Sequence, residues 1–159
     1  MHVSLTARQW LLIMAGLCLA GVAAALVGQY RFGMHPCPWC ILQRVLFVAI
    51  ALVCAVGAAL PSSAARRSAA GLSVAFVLCG IASALYQHFV AAKSSSCALT
   101  FADKIISGLK LDVAWPAMFE VTGSCADAVV SVLGIPFDFW SLGLFMLVGA
   151  LALRVLPRA

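Results

Sequence analysis

Charged side chains are scarce in this sequence, and acidic ones scarcest. Only 9% of the 159 residues are Asp, Glu, Lys or Arg, while 65% are hydrophobic; a soluble domain carries roughly 25% charge. So little charge cannot cover a water-facing globule, and the chain is read as an integral membrane protein. Its five acids are Asp103, Asp112, Glu120, Asp127 and Asp138, none of them before residue 103. The formal net charge of +5 is small and dispersed, which excludes nucleic-acid binding through a basic patch. A glycine-rich nucleotide fingerprint is missing, as is any obvious haem or flavin motif.

Long uncharged runs are what the chain has instead. They extend from Gln9 to Tyr30, Val45 to Leu60, Ser68 to about Ala92, and Phe139 to Leu153, against the ~20 residues that cross a bilayer as a helix. The last is short, with Trp140 at one interface and Arg154 snorkelling to the other. The predicted fold is an all-α membrane protein, a four-helix transmembrane bundle forming one domain over 1–159. Its spans lie at about 10–30, 41–60, 69–92 and 139–156, and its outer loops at about 31–40 and 93–138. For the first run a cleaved signal peptide is the competing reading, with Arg8, the apolar run and Ala23-Ala24-Ala25 imitating its three regions. The run exceeds the roughly 7–15 residues of a signal core, and later segments keep the same orientation either way.

If both termini share one side, that side holds Arg8, Arg66, Arg67, Arg154 and Arg158 and no acid. The other side holds all the acids, with Arg31, Lys93, Lys104 and Lys110. By a modest margin the positive-inside rule places both termini in the cytoplasm and the two outer loops beyond the membrane. Within the long loop, Phe101, Ile105, Ile106 and Leu109 recur at helical spacing, with Asp103, Lys104 and Lys110 on other faces. This predicts a short amphipathic helix lying on the membrane surface or packed on the bundle. Trp115-Pro116 and Phe119 are expected to continue its contact with the interface.

The seven cysteines divide by location. Cys18, Cys54 and Cys79 fall inside spans, where cysteine packs as a small hydrophobe. Cys37, Cys40, Cys97 and Cys125 fall outside them on the non-cytoplasmic side, and an even number on an oxidising face reads as two disulfides. A Cys37–Cys40 bond closes a tiny loop of the kind that is often strained or reducible. Cys97 and Cys125 sit among small polar residues, Ser94-Ser95-Ser96 and Thr122-Gly123-Ser124, so a bond between them is accessible; spacing alone equally allows a structural staple. A four-cysteine zinc site is a further alternative, although only one pair has ligand-like spacing.

The segment Pro36-Cys37-Pro38-Trp39-Cys40-Ile41-Leu42-Gln43-Arg44 carries most of the chemistry. A helix beginning near Pro38 puts both sulfurs at its N-terminal turn, where free N–H groups and the helix dipole favour a thiolate. Arg44 follows one turn deeper on the face of Cys40. An arginine at the head of a span is costly unless it reaches the interface or has a task; holding negative charge on Cys40, or on a reduced acceptor beside it, is such a task. His88, in Tyr86-Gln87-His88 at the outer end of the third span, suits the dipole of a helix C-terminus. The functional alternative is a hydrogen-bond or proton partner to a bound acceptor.

In this order the residues resemble the DsbB-like disulfide-forming proteins of the bacterial inner membrane, over nearly the whole chain. The resemblance rests on the four spans, Cys37-x-x-Cys40 with Arg44, Tyr86-x-His88, the lone Cys97, Gly123-Ser124-Cys125-Ala126, and Leu133-Gly134 through Trp140 to Gly143. It implies a thiol:quinone oxidoreductase. A reduced DsbA-like periplasmic partner attacks a Cys97–Cys125 disulfide at Cys97, Cys125 passes the electrons to Cys37–Cys40, and Cys40 delivers them to ubiquinone or menaquinone. Arg44 and His88 are then candidates for the quinone site, with membrane lipid around it. Keeping the bacterial periplasm oxidising through DsbA and a quinone is a known property of that family, and DsbA, near −120 mV, needs an acceptor of higher potential.

Two positions depart from the pattern. Asp138 stands where the family usually has proline, with Pro136 just upstream, and Gln43 is at a position that varies in the family. The first bears on the local turn and on the surface offered to the partner. Two other classes stay open: a membrane scaffold with structural disulfides, and a metal-handling protein using the four outer cysteines. The fixed charge of Arg44 opposes a cation site beside it.

Overall fold

The computed structural model describes residues 5–93, 100–126 and 130–158, so Cys97 and Asp127 lie outside the described residues. In chain order its helices are α1 (Ala7–Phe32), α2 (Pro38–Ala59), α3 (Ser63–Phe89), α4 (Phe101–Gly108), α5 (Leu111–Ala114), α6 (Pro116–Phe119) and α7 (Phe137–Val155). A 3-10 turn, Ala91–Lys93, follows α3, and a two-stranded hairpin, β1 (Ser131–Val132) and β2 (Ile135–Pro136), precedes α7. Helices α1, α2, α3 and α7 are long and apolar enough to cross a membrane, α3 together with its 3-10 turn. The fold is an all-α membrane bundle.

Local sequence sets the helix ends. At the start of α1, Thr6 Oγ1 accepts from the Gln9 N–H at 3.3 Å and Gln9 Oε1 accepts from the Thr6 N–H at 2.8 Å, a reciprocal cap. Gly33 closes the helix at φ 63°, a left-handed conformation that favours glycine. Cys37 caps α2 and Pro38 occupies its first turn, where the missing N–H of proline costs nothing. Short links make α1, α2 and α3 successive antiparallel neighbours, and α7, returning after the long loop, packs on α1 and α3 to close a ring. Arg8, Arg66, Arg67 and Arg154 therefore gather at one end of the bundle, with the Cys37 turn, α4–α6 and the hairpin at the other.

The core is tightly packed. Leu11, Met14, Cys18, Ile50, Cys54, Phe145 and Val148 are fully buried, and Phe47 stacks on Phe145 with ring centroids 4.0 Å apart. Small residues allow these approaches, as is usual between membrane helices. A Cβ on Gly80 would run into the Phe145 ring, and one on Gly57 into Ala69. Leu19, Leu52, Leu78, Met146 and Leu153 face outward, as expected where lipid replaces water. Cys79 shares that outer surface, correcting its reading as a packing residue; Cys18 and Cys54 are packed.

The short amphipathic helix expected in the long loop is α4, and it takes the second of its two expected placements, packed on α2. In α4 the apolar stripe divides: Ile106 turns inward to Ile41 and Phe119, while Phe101 and Leu109 stay exposed. Phe119 is buried, so it does not continue an interfacial surface; Trp115 remains exposed. The hairpin was not foreseen. Its turn is Leu133-Gly134 at φ 55° and 80°, the paired positive φ of a tight hairpin turn that matches strand twist. Trp140 is tied to it, its Nε1–H donating to the Val132 carbonyl at 3.2 Å.

Gly80→Ala should destabilise the bundle by about 1–3 kcal/mol, the usual cost of overpacking. Gly71 in the same helix has open space at its Cβ, so Gly71→Ala should be neutral or slightly stabilising. Thermal unfolding of both variants in one detergent checks the contrast.

Candidate redox site

Three sulfurs meet where α2 begins. Cys37 Sγ accepts from the Cys40 N–H at 3.3 Å, and the two sulfurs lie 2.8 Å apart. Cys37 is fully buried and Cys40 partly so. Cys125 arrives from the far end of the long loop, which is fastened to this turn by the Thr122 and Gly123 N–H groups, both donating to the Pro36 carbonyl at 3.1 Å. Gly123 lies so close to His35 that a Cβ there would come within 2.8 Å of its carbonyl oxygen. The Cys37 thiol hydrogen-bonds Cys125, whose sulfur also accepts from the Trp39 N–H. Cys37 thus sits between Cys125 and Cys40. The hydrogen bond to Cys125, then that to Cys40, and burial hold the Cys37 proton on, raising its pKa. The same hydrogen bond pulls the Cys125 pKa below the ordinary thiol value, overcoming its partial burial.

Below Cys40 opens a cavity of about 280 Å³. Its walls are mainly apolar, from Gly21, Val22 and Ala24 of α1, Phe47 of α2, and Phe137 and Leu144 of α7, with Cys40, Gln43, Arg44, Gln87, Asp138 and Ser141 as the polar minority. Arg44 is 6% exposed. Its guanidinium donates to Gln29 Oε1 at 2.7 Å, the Met118 carbonyl at 3.1 Å and the Ala25 carbonyl at 3.4 Å. Every one of these acceptors is neutral, and among the described residues no carboxylate pairs with it. A buried cation so placed has its donors satisfied and its charge uncompensated.

Two amides complete the wall. Gln43 Nε2 donates to Gln87 Oε1 at 2.8 Å, and Gln87 Nε2 donates to Cys40 Sγ at 3.3 Å. The first bond orients Gln87 so that its N–H, the group able to stabilise a thiolate, faces the sulfur. Sequence reading passed over Gln87 as a site residue, although a polar side chain within a span calls for a partner. His88 is not in the cavity wall. Its Nδ1 lies 2.7 Å from Asp138 Oδ2, and it is Asp138 that lines the cavity. The Asp138 side chain is only 10% exposed, so it faces the interior, where a partner-facing surface was expected. The structure therefore brings together Cys37, Cys40 and Cys125, places Arg44 on the cavity with Cys40, and joins His88 to it through Asp138. Cys97 lies outside the described residues. Among those residues no group of three or more His, Cys, Asp or Glu side chains is arranged to hold a metal.

Residues 7–155 match the family described as "Disulfide bond formation protein DsbB". The chain belongs to the DsbB family. "Disulfide bond formation protein B" of Pseudomonas syringae pv. tomato is 33% identical over 145 residues, spanning 91% of this chain and 86% of that protein. "Disulfide bond formation protein B 1" of Pseudomonas fluorescens (strain Pf0-1) is 35% identical over 147 residues, spanning 89% and 84%. A homologue in Burkholderia pseudomallei is 32% identical over 142 residues. As a DsbB-family chain this is a membrane protein of disulfide bond formation.

In the fully reduced protein, Cys125 should react with a maleimide at neutral pH at least ten times faster than Cys37, because only thiolates attack. Lowering the pH through the depressed Cys125 range should slow its labelling. Cys37→Ala should move that fall towards the ordinary thiol range, since the Cys37 hydrogen bond is the main cause of the shift. Mass-resolved labelling rates against pH check both points.

Proposed function

We propose that the chain is a thiol:quinone oxidoreductase that reoxidises a DsbA-like thioredoxin-fold partner. The observation that carries this reading is the row Cys125, Cys37, Cys40 and cavity, which links a surface loop to an apolar chamber beside a buried arginine. The net change is one dithiol oxidised to a disulfide and one quinone reduced to its hydroquinone, with two electrons and two protons transferred. The partner's thiolate attacks a Cys97–Cys125 disulfide at Cys97, releasing Cys125 as a thiolate. Cys125 attacks Cys37 of the Cys37–Cys40 disulfide, expelling Cys40 as a thiolate; the partner's second thiolate then frees Cys97, Cys97 takes Cys125 back from Cys37, and Cys37–Cys40 re-forms as the electron pair leaves through the Cys40 thiolate. The Gln87 N–H and the first turn of α2 hold that charge; its position suits it to the last transfer, being about 4.5 Å further along the helix axis than Cys37 at 1.5 Å per residue.

The cavity fits a quinone headgroup. It is mostly apolar with a few convergent polar groups, as small-molecule sites are, and Arg44 supplies an uncompensated positive charge where the acceptor gains electrons. Ubiquinone or menaquinone, reached from the lipid, supplies the two-electron acceptor of high potential that oxidation of DsbA requires. The setting is the bacterial inner membrane, with both termini cytoplasmic and the redox cysteines periplasmic. The gathering of arginines at the opposite end of the bundle supports that orientation.

Quinone absorbance should fall when purified protein in detergent is given reduced DsbA and a quinone. Cys40→Ser should abolish this while leaving Cys97 open to the partner. Folded wild-type protein that is inert with several quinones and thiol donors would return the four cysteines to a structural role. Arg44→Ala should raise the quinone concentration for half-maximal rate at least tenfold; unchanged dependence on quinone would remove Arg44 from the site.

A further inference from the structure

The His88–Asp138 pair has no part in the sulfur exchange, yet it spans the wall of the cavity. His88 lies in the last turn of α3 and Asp138 in the first turn of α7, with 2.7 Å between Nδ1 and Oδ2. The two side chains differ in exposure, 30% for His88 and 10% for Asp138. Asp138 borders the cavity with Cys40 and Arg44, whereas the His88 ring lies outside that wall, flanked by Phe89 and Phe139 at centroid distances of 4.9 and 4.5 Å. An exchangeable proton thus has two adjacent stations, one nearer the exterior and one on the cavity.

Such stations answer a need the sulfurs leave unmet. Reducing a quinone to its hydroquinone consumes two protons with two electrons, and Cys40 acts as a thiolate, which brings electrons and no proton. Arg44 does not give up its proton in proteins, and Gln43 and Gln87 are amides, not acids. Ser141, also in the wall, is a hydroxyl that can pass a proton on but is too weak an acid to originate one. Among the residues lining the cavity, Asp138 is the one carboxyl.

Resting on the quinone-reductase reading above, we propose that His88 and Asp138 form the proton inlet of the cavity. The proton shared between His88 Nδ1 and Asp138 Oδ2 is handed on by Asp138 to an oxygen of the reduced quinone. His88 then takes up another proton at its exposed edge and passes it through Nδ1 into the bond with Asp138. Two such cycles supply the two protons of one hydroquinone, while the two electrons come from the cysteines. His88 acts through Asp138 and is a relay, not a group on the acceptor itself.

The test uses full-length protein in nanodiscs, a short-tailed ubiquinone analogue, and reduced DsbA. Quinone binding is read from quenching of tryptophan fluorescence, Trp140 being part of the cavity wall, and reduction from quinone absorbance. Asp138→Asn should bind the analogue within threefold of wild type yet reduce it about 100-fold more slowly, within the range for loss of a general acid. Formate or imidazole buffer at fixed pH should restore the rate in proportion to its concentration. Asp138→Glu should keep most of the rate, and His88→Asn, set back from the wall, should be slow and rescued by imidazole. A wild-type rate in Asp138→Asn overturns the proton inlet alone. So does a slow variant with weakened binding or one that no added acid restores, since either marks a structural role. A wild-type protein that reduces no quinone overturns the wider reading and the inlet with it.

Discussion

A guanidinium held inside an apolar bundle is the constraint on which this structure turns. Burying a charge is tolerable only when its protons are directed at acceptors, and Arg44 draws three acceptors from two separate elements: Gln29 and Ala25 on α1, and Met118 on α6. Satisfying Arg44 therefore fixes how α1 meets α2 and pins part of the long loop over the end of the bundle. Tyr30 reinforces that closure, its hydroxyl donating to the Ala117 carbonyl at 2.6 Å. The acceptors being neutral, the positive charge keeps its reach into the cavity. A carboxylate partner would have made a firmer structural pair and a poorer electrostatic site.

The beginning of α2 shows how fold and chemistry share the same atoms. Cys37 caps the helix, so its sulfur has a structural duty before any redox one. Capping sets that sulfur against the Cys40 N–H, and the two-residue spacing between the cysteines brings the second thiol around the turn to meet it. Neighbouring Pro36 offers its carbonyl to the arriving Cys125 segment. A helix start, a dithiol and a docking point for a distant loop are compressed into one short stretch.

Much of this was legible in the sequence. Long uncharged runs predict spans because lipid tolerates few charges, and the cysteine spacing predicts a helix-capping dithiol because proline favours the first turn. Arg44 was legible for the same reason it is expensive. The amide pair was not, because Gln43 and Gln87 are 44 positions apart and only packing of α2 on α3 makes them one unit. Asp138 stands out as a departure, but its direction depends on α7 beginning at Phe137, two residues before the uncharged run that marks the span. The hairpin escaped because Leu133 is an unlikely residue for positive φ, and Phe119 because an aromatic near an interface and one under a loop look alike in one dimension.

The seat of the Cys125 segment on the Pro36 carbonyl has a mechanical consequence. Two successive N–H groups share that one oxygen, and the segment has Gly123 pressed against His35 where no side chain would fit. Lifting either N–H away moves the other, so the contact releases as a unit. Cys125 therefore keeps its place against Cys37 for as long as that one oxygen is occupied, and a single backbone contact sets whether the third sulfur belongs to the row.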